Sequence, residues 1–391
     1  MTVRAQRWHV PMSGRDPDEE HRAATPLELF FDLCFVVAVA QASVALHHAV
    51  ADGHALDGAL FFSMTFFAIW WAWMNFTWFA SAYDTDDVLY RLLTFVQIAG
   101  VLVIASGVQR AFEELDYTAV TLGYVIMRMG LVAQWLRAAA EHPDRRRTAL
   151  RFAIGVTLVQ VGWVSRLLLP EAPGLAAFAP LVVLELLVPV WAESTGRPTP
   201  YHHGHIAERY GLFTIIVLGE CVLAASMAVQ EAATASGVSL PLITLAAGAL
   251  VLVLAMWWAY FKHEGSDEVV GGGQAFVWGY GHYFVFTAVA ATGAGLHVAA
   301  DMTHLPTRIG VVGASLAVAI PVVVYLVATW LVSPMGRSLQ VLRPVLVACA
   351  LVLAAAIVVG PVSLPLAVLG MALVVAALIG RSAYLASRVG R

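Results

Sequence analysis

The sequence predicts an all-α polytopic membrane protein of about twelve transmembrane helices in two six-helix parallel repeats, with both termini in the cytoplasm. Three observations predict it. Of 391 residues, 60% are hydrophobic and only 12% charged, and the mean hydropathy is +0.79, which no soluble domain of this size sustains. Twelve apolar runs of about 20 residues, the length that crosses roughly 30 Å of hydrocarbon, lie between turn signals. Basic residues gather in the segments that an even number of spans places on one side.

Residues 1–26 are polar, mix Arg with Asp and Glu and lack an apolar run, so they read as a cytoplasmic tail and not as a cleavable signal peptide. The first span, near 27–49, opens at Glu28, an anion that the helix dipole favours at a helix start. The second, 58–80, carries the run Trp70, Trp71, Trp73 and Trp78. "DTDDV" around Asp84, Asp86 and Asp87 gives the third span, 88–110, a capped beginning. After the fourth, 117–139, the basic run Arg145–Arg147 precedes the fifth, 148–169. Pro170, Pro173, Pro180 and Pro189 surround the sixth, 174–193, and mark either a short loop or a broken helix. A cytoplasmic linker, 196–206, leads to the seventh span at 207–230 and the eighth at 238–261. Gly271–Gly273 form a flexible lead into the ninth, 274–299, and spans near 309–332, 340–359 and 363–386 complete the chain. Cys34, Cys221 and Cys349 fall within apolar segments, where a thiol behaves as a small hydrophobe, and disulfides are not expected.

With the N-terminus inside, the cytoplasmic side receives Arg4, Arg7, Arg15, Arg22, Arg145–Arg147, Arg197, Lys262, Arg337, Arg388 and Arg391. The opposite side keeps Arg110, Arg166 and Arg308. The two repeats, 27–195 and 207–391, share landmarks in order. "WWAW" at Trp70–Trp73 returns as "WWAY" at Trp257–Tyr260, each followed by an acidic loop, "YDTDD" and "EGSDE". Glu28 has its counterpart in Glu208, and Arg151 in Arg343. Six spans per half would relate the halves by an axis along the membrane normal.

Three blocks, "LELFFDLCFVVAVAQAS" (Leu27–Ser43), "WWAWMNFTWFASAYDTDDVLYRLLTFVQIAGVL" (Trp70–Leu102) and "HIAERYGLFTIIVLGECVLA" (His205–Ala224), resemble the bacterial low-temperature-requirement protein A family. That resemblance implies a multi-pass protein of the bacterial cytoplasmic (inner) membrane and implies no reaction. A weaker likeness joins "FFD" at Phe30–Asp32 to the "FSD" opening of two-repeat endosomal and bacterial potassium channels. Pro26 stands where those channels carry an Arg, Phe31 replaces the Ser, and Leu212 lies near the second Asp position.

Ionisable residues inside a membrane are costly and usually face a bundle interior with a partner. Arg128, Glu185 and Glu220 sit near mid-depth in the fourth, sixth and seventh spans. One guanidinium cannot neutralise two separate carboxylates, so one acid is left for a proton or a cation. On the seventh span Arg209, Glu220 and Met227 share a helical face, beside Gly211, Ile215 and Gly219. Glu28, Asp32, Phe35, Val39 and Ser43 share another face on the first, where two acids a turn apart need a positive group. Arg91, Arg209 or a bound cation would serve. Alternatively Glu28 caps its helix and Asp32 pairs with Arg91. The Asp84–Asp87 loop could join an oxygen-rich cation site or act as an N-cap.

His202, His203, His205 and Glu208 have the close spacing of metal ligands at the mouth of the seventh span, but His263 and His282 complete no multi-helix histidine box, so no metal is expected and a proton-sensing or interfacial role, or no special role, is the alternative. The Trp-rich run, with Asn75 and Thr77, could line an aromatic vestibule or simply pack. Phosphate-loop, dinucleotide, zinc-protease and serine-hydrolase motifs are absent. A net charge of -4 with scattered basic residues excludes nucleic acid as a partner. The partners expected are the lipid bilayer and a small ion or small molecule, with no cofactor; homo-oligomerisation stays open. Three functions fit: a secondary transporter or ion-conducting protein using Glu220, Arg128, Glu185 and Asp32, an interfacial enzyme on a lipid or hydrophobic metabolite using the histidines and Asp84–Asp87, or a sensor without turnover.

Overall fold

A computed structural model describes residues 7–20, 22–262, 273–305, 307–333 and 339–389. Arg4, His263, the "EGSDE" loop, Gly271, Gly272, Arg337 and Arg391 lie outside the described residues. Those that are described form helices and loops, with no strand among them. In order the helices are α1 Pro26–Ala51, α2 Ala55–Tyr83, α3 Val88–Glu113, α4 Thr118–Glu141, α5 Arg146–Arg166, α6 Glu171–Ala176, α7 Phe178–Glu193, α8 His203–Ser236, α9 Leu240–Phe261, α10 Gly273–Asp301, α11 Gly310–Val332, α12 Leu339–Ala354 and α13 Leu364–Val389. With α6 and α7 taken as one broken span, twelve helical segments among the described residues are long and apolar enough to cross a membrane.

Local chemistry sets the helix starts. Thr25 and Glu28 form a capping box ahead of Pro26: the Thr25 N–H donates to Glu28 Oε2 at 2.7 Å, and the Glu28 N–H donates to Thr25 Oγ1 at 3.3 Å. Asp87 caps α3, accepting from the Tyr90 N–H, and Ser239 caps α9, accepting from the Leu242 N–H. The prolines around the sixth span break it into α6 and α7, with Pro170 just before α6 and Pro189 inside α7. Large apolar side chains such as Leu92 and Phe95 on α3, Met129 on α4 and Leu158 on α5 remain exposed. Hydrocarbon is the solvent that accepts such a surface.

The chain forms two compact units. One comprises residues 1–42 and 64–209, in which α3 packs on α4, α4 on α5 and α5 on α7. There Gly100 and Gly123 bring two backbones together: a Cβ on Gly100 would lie 2.6 Å from the Gly123 carbonyl oxygen, and one on Gly123 2.5 Å from that of Gly100. The N-terminal tail is tied to this unit, with the Val10 N–H donating to Asp87 and Arg137 donating to the Val10 carbonyl. The other unit comprises residues 43–63 and 210–391, in which α10 packs on α11, α9 on α13 and α11 on α12.

Candidate functional site

In the first unit, α1 and the start of α8 supply a fully buried charge cluster. Asp32 accepts from Arg209 Nε at 2.9 Å and Nη2 at 2.5 Å, a two-pronged pair, and from Trp73 Nε1 at 2.6 Å. Glu28 lies 3.1 Å from Arg209 Nη1 and 3.2 Å from His205 Nε2. Of the cations the sequence offered Asp32, Arg209 is the one in place. Arg91 instead grips Asp86, five residues back in its own loop, in a partly exposed pair.

A second cluster joins α4 and α7. Arg128 Nη2 lies 3.4 Å from Glu185 Oε2, and Tyr124, Trp71 and Trp163 all donate to the same carboxylate, at 2.9, 2.8 and 3.1 Å. Arg128 also donates to the Tyr124 hydroxyl. The three aromatic donors were not foreseen, since which face of its helix each occupies depends on packing. Trp71 and Trp73, two residues apart and so about 200° apart around α2, serve the two clusters from opposite faces.

The acidic loop is divided in its roles. Burial would push Asp87 up, but hydrogen bonds from Arg137 and from the Tyr90 and Val10 N–H groups hold it below the usual carboxylate range. Asp84, whose side chain is 4% exposed, is pushed up to about 6, first by burial and then by the Glu28 charge.

His202, just before α8, and His205, in its first turn, are engaged, whereas His203 is exposed. His202 Nδ1 accepts from the His205 N–H, so that imidazole caps the helix, while its Nε2 meets the Glu19 carbonyl. His205 faces Glu28, and exposed Glu208 accepts from the Ala24 N–H. His282, on α10, pairs with the Tyr260 hydroxyl at 2.9 Å. Among the described residues none of these joins a group of three close metal-ligating side chains. Trp70, Trp71 and Trp73 are buried.

Glu220 belongs to the second unit. It is buried, the Ser43 hydroxyl lies beside it, and among the described residues its Oε2 has no hydrogen-bond partner. The single Ser43 hydroxyl proton is given to the Ala290 carbonyl at 3.4 Å, and a Cβ on Gly293 would lie 3.2 Å from Cys221 Cα. These contacts place Glu220 on a close seam of α1, α8 and α10. Further along that seam stands a group the sequence reading did not single out: His47 Nε2 lies 2.7 Å from Asp301 Oδ2, and the His47 and His297 rings stack at 3.9 Å. The available signal was the four-residue spacing of His297 and Asp301, which puts both on one helix face.

Fold and site together define a polytopic α-helical membrane protein with ionisable groups buried among its spans. The chain belongs to the family of bacterial low temperature requirement A proteins (LtrA), whose model matches residues 23–380. It is similar to an uncharacterized protein of Rhizobium meliloti (strain 1021), with 28% identity over an alignment of 303 positions covering 72% of this chain and 71% of the relative. No solved structure matches.

Proposed function

We propose that this protein carries or conducts a proton or small cation across the bacterial cytoplasmic membrane, with Glu220 as the group the ion meets within the span. One observation supports this above the others. Six carboxylate side chains are buried among the described residues: Glu28, Asp32, Asp84, Asp87, Glu185 and Glu220. Arginine stands within 4.0 Å of the first five, and no cation among the described residues pairs with Glu220. An unpaired buried charge is costly, so such a carboxyl holds a proton or attracts a cation. In this reading the Asp32–Arg209 and Glu185–Arg128 pairs brace the first unit, and Asp32 stands toward the cytoplasmic end of its span. The basic tail and Arg145–Arg147 support an inward N-terminus.

The test is flux in proteoliposomes holding a pH-sensitive dye, driven by an imposed membrane potential, with Na⁺ and K⁺ gradients run in parallel. Glu220→Gln should abolish the flux while the protein stays monodisperse. Full flux from that variant would overturn the assignment.

A further inference from the structure

The seam of α1, α8 and α10 ends in a cluster with the composition of a transition-metal site. His47, His297 and Asp301 each offer one ligand atom, and these atoms lie within 4.8 Å of one another. Two imidazoles and a carboxylate are a ligand set that zinc and related divalent ions take. Glu231, on α8, stands just outside that group, with Oε2 3.5 Å from His297 Nε2.

A plain hydrogen-bonded His–Asp pair is the alternative, and three observations weigh against it. His47 is only 6% exposed, and among the described residues its Nδ1 has no hydrogen-bond partner, so the carboxylate satisfies one side of the ring only. Second, the imidazoles stack with an interplanar angle of 8°, which disfavours charge on both rings and so favours the neutral imidazole, the form that binds a metal. Third, the group stands in the last turns of α1 and at the end of α10, where carbonyl dipoles favour positive charge. The backbone holds these ends together: the Arg308 N–H donates to the Ala51 carbonyl at 3.0 Å.

We infer that His47, His297 and Asp301 bind one divalent transition-metal ion, with Glu231 closing the coordination. Tetrahedral zinc with bonds of about 2.0 to 2.1 Å sets its ligands roughly 3.3 Å apart. The His47–Asp301 hydrogen bond therefore opens and the His297 ring swings inward by about an ångström. His297 and Glu231, the more exposed members, have the room to do so. The site does not rest on the transport reading, because it uses no atom of Glu220.

Full-length protein in detergent, stripped with a chelator, would be titrated with Zn²⁺ alone, and with Co²⁺ to read the ligand field in the visible spectrum. One equivalent should bind and raise the melting midpoint. His297→Ala and Asp301→Asn should each weaken binding by about 10- to 100-fold or more. Glu220→Gln and the pair His202→Ala with His203→Ala should leave it unchanged, which separates this site from the flux assignment and from the histidines before α8. Failure of the wild-type protein to bind stoichiometric Zn²⁺ would overturn the site whatever the variants do. Binding that survives His297→Ala and His47→Gln in monodisperse protein would do the same.

Discussion

Arg209 holds two acids at once, Asp32 through two nitrogens and Glu28 through the third, inside a cluster with no exposure to solvent. Truncating one partner of a buried pair leaves the other charge uncompensated, at a cost of about 3 to 5 kcal/mol. Arg209→Met should therefore lower the thermal midpoint in detergent sharply, and adding Asp32→Asn should restore part of the loss. An unchanged midpoint in the single variant would mean the cluster is not under that tension. The charge inventory made part of this legible: two acids a turn apart on α1 required a cation. It could not choose between Arg91 and Arg209, because Arg91 is captured by Asp86 through loop geometry that spacing does not encode. Nor could it supply the indole and phenol donors around Glu185. The His47–Asp301 pair, 254 residues apart, was hidden because a histidine near the end of an apolar run looks like any interfacial residue.

Among the helices, hydropathy placed nearly every span to within a few residues, since the hydrocarbon thickness fixes length directly. The exception is α8, a helix of 34 residues where the apolar run suggested 207–230. Its last turns, including Glu231 and the Ala-rich stretch to Ser236, continue on helix propensity after hydropathy has faded. The doubtful sixth span is a broken helix, as the prolines allowed. Close packing of α3 against α4 was not legible, because a glycine in an apolar run does not announce what lies opposite. The Gly100 and Gly123 contacts make a sharp expectation here. Gly123→Val should force the two backbones apart and lower the midpoint by far more than Gly219→Ala, whose added carbon would meet nothing within 4 Å. Equal effects of the two would show that α3 and α4 are not so closely apposed.

For the molecule as a whole, sequence order suggested halves at 27–195 and 207–391, while compactness groups the end of α1 and the start of α2 with the second unit and the start of α8 with the first. Order along a chain and proximity in space are separate properties, and hydropathy reports only the first. Global stability against pH should carry the mark of the loop before α3. Asp87, held low in the folded state, contributes stability that is present above its unfolded value near 3.8 and lost as the pH falls through its lower folded value. Asp84, raised to about 6, has the opposite sign: its contribution is present below 3.8 and lost as the pH rises through 6. Asp84→Asn should thus be more stable than wild type at pH 7.5, by an amount on the order of 1 to 3 kcal/mol. That advantage should vanish by about pH 4. A difference between the two proteins that does not vary with pH would refute this account of Asp84.

The two indoles of α2 that donate to Asp32 and to Glu185 also give the protein built-in optical labels. An indole N–H senses how strongly its acceptor pulls on it: a carboxylate that gains a proton becomes a weaker acceptor, and one that loses its arginine a stronger one. Ultraviolet resonance Raman of Trp71→Phe and Trp73→Phe, each subtracted from the parent spectrum, would isolate the vibrations of each ring, so the two charge clusters can be watched separately as the pH is changed, with no dye attached.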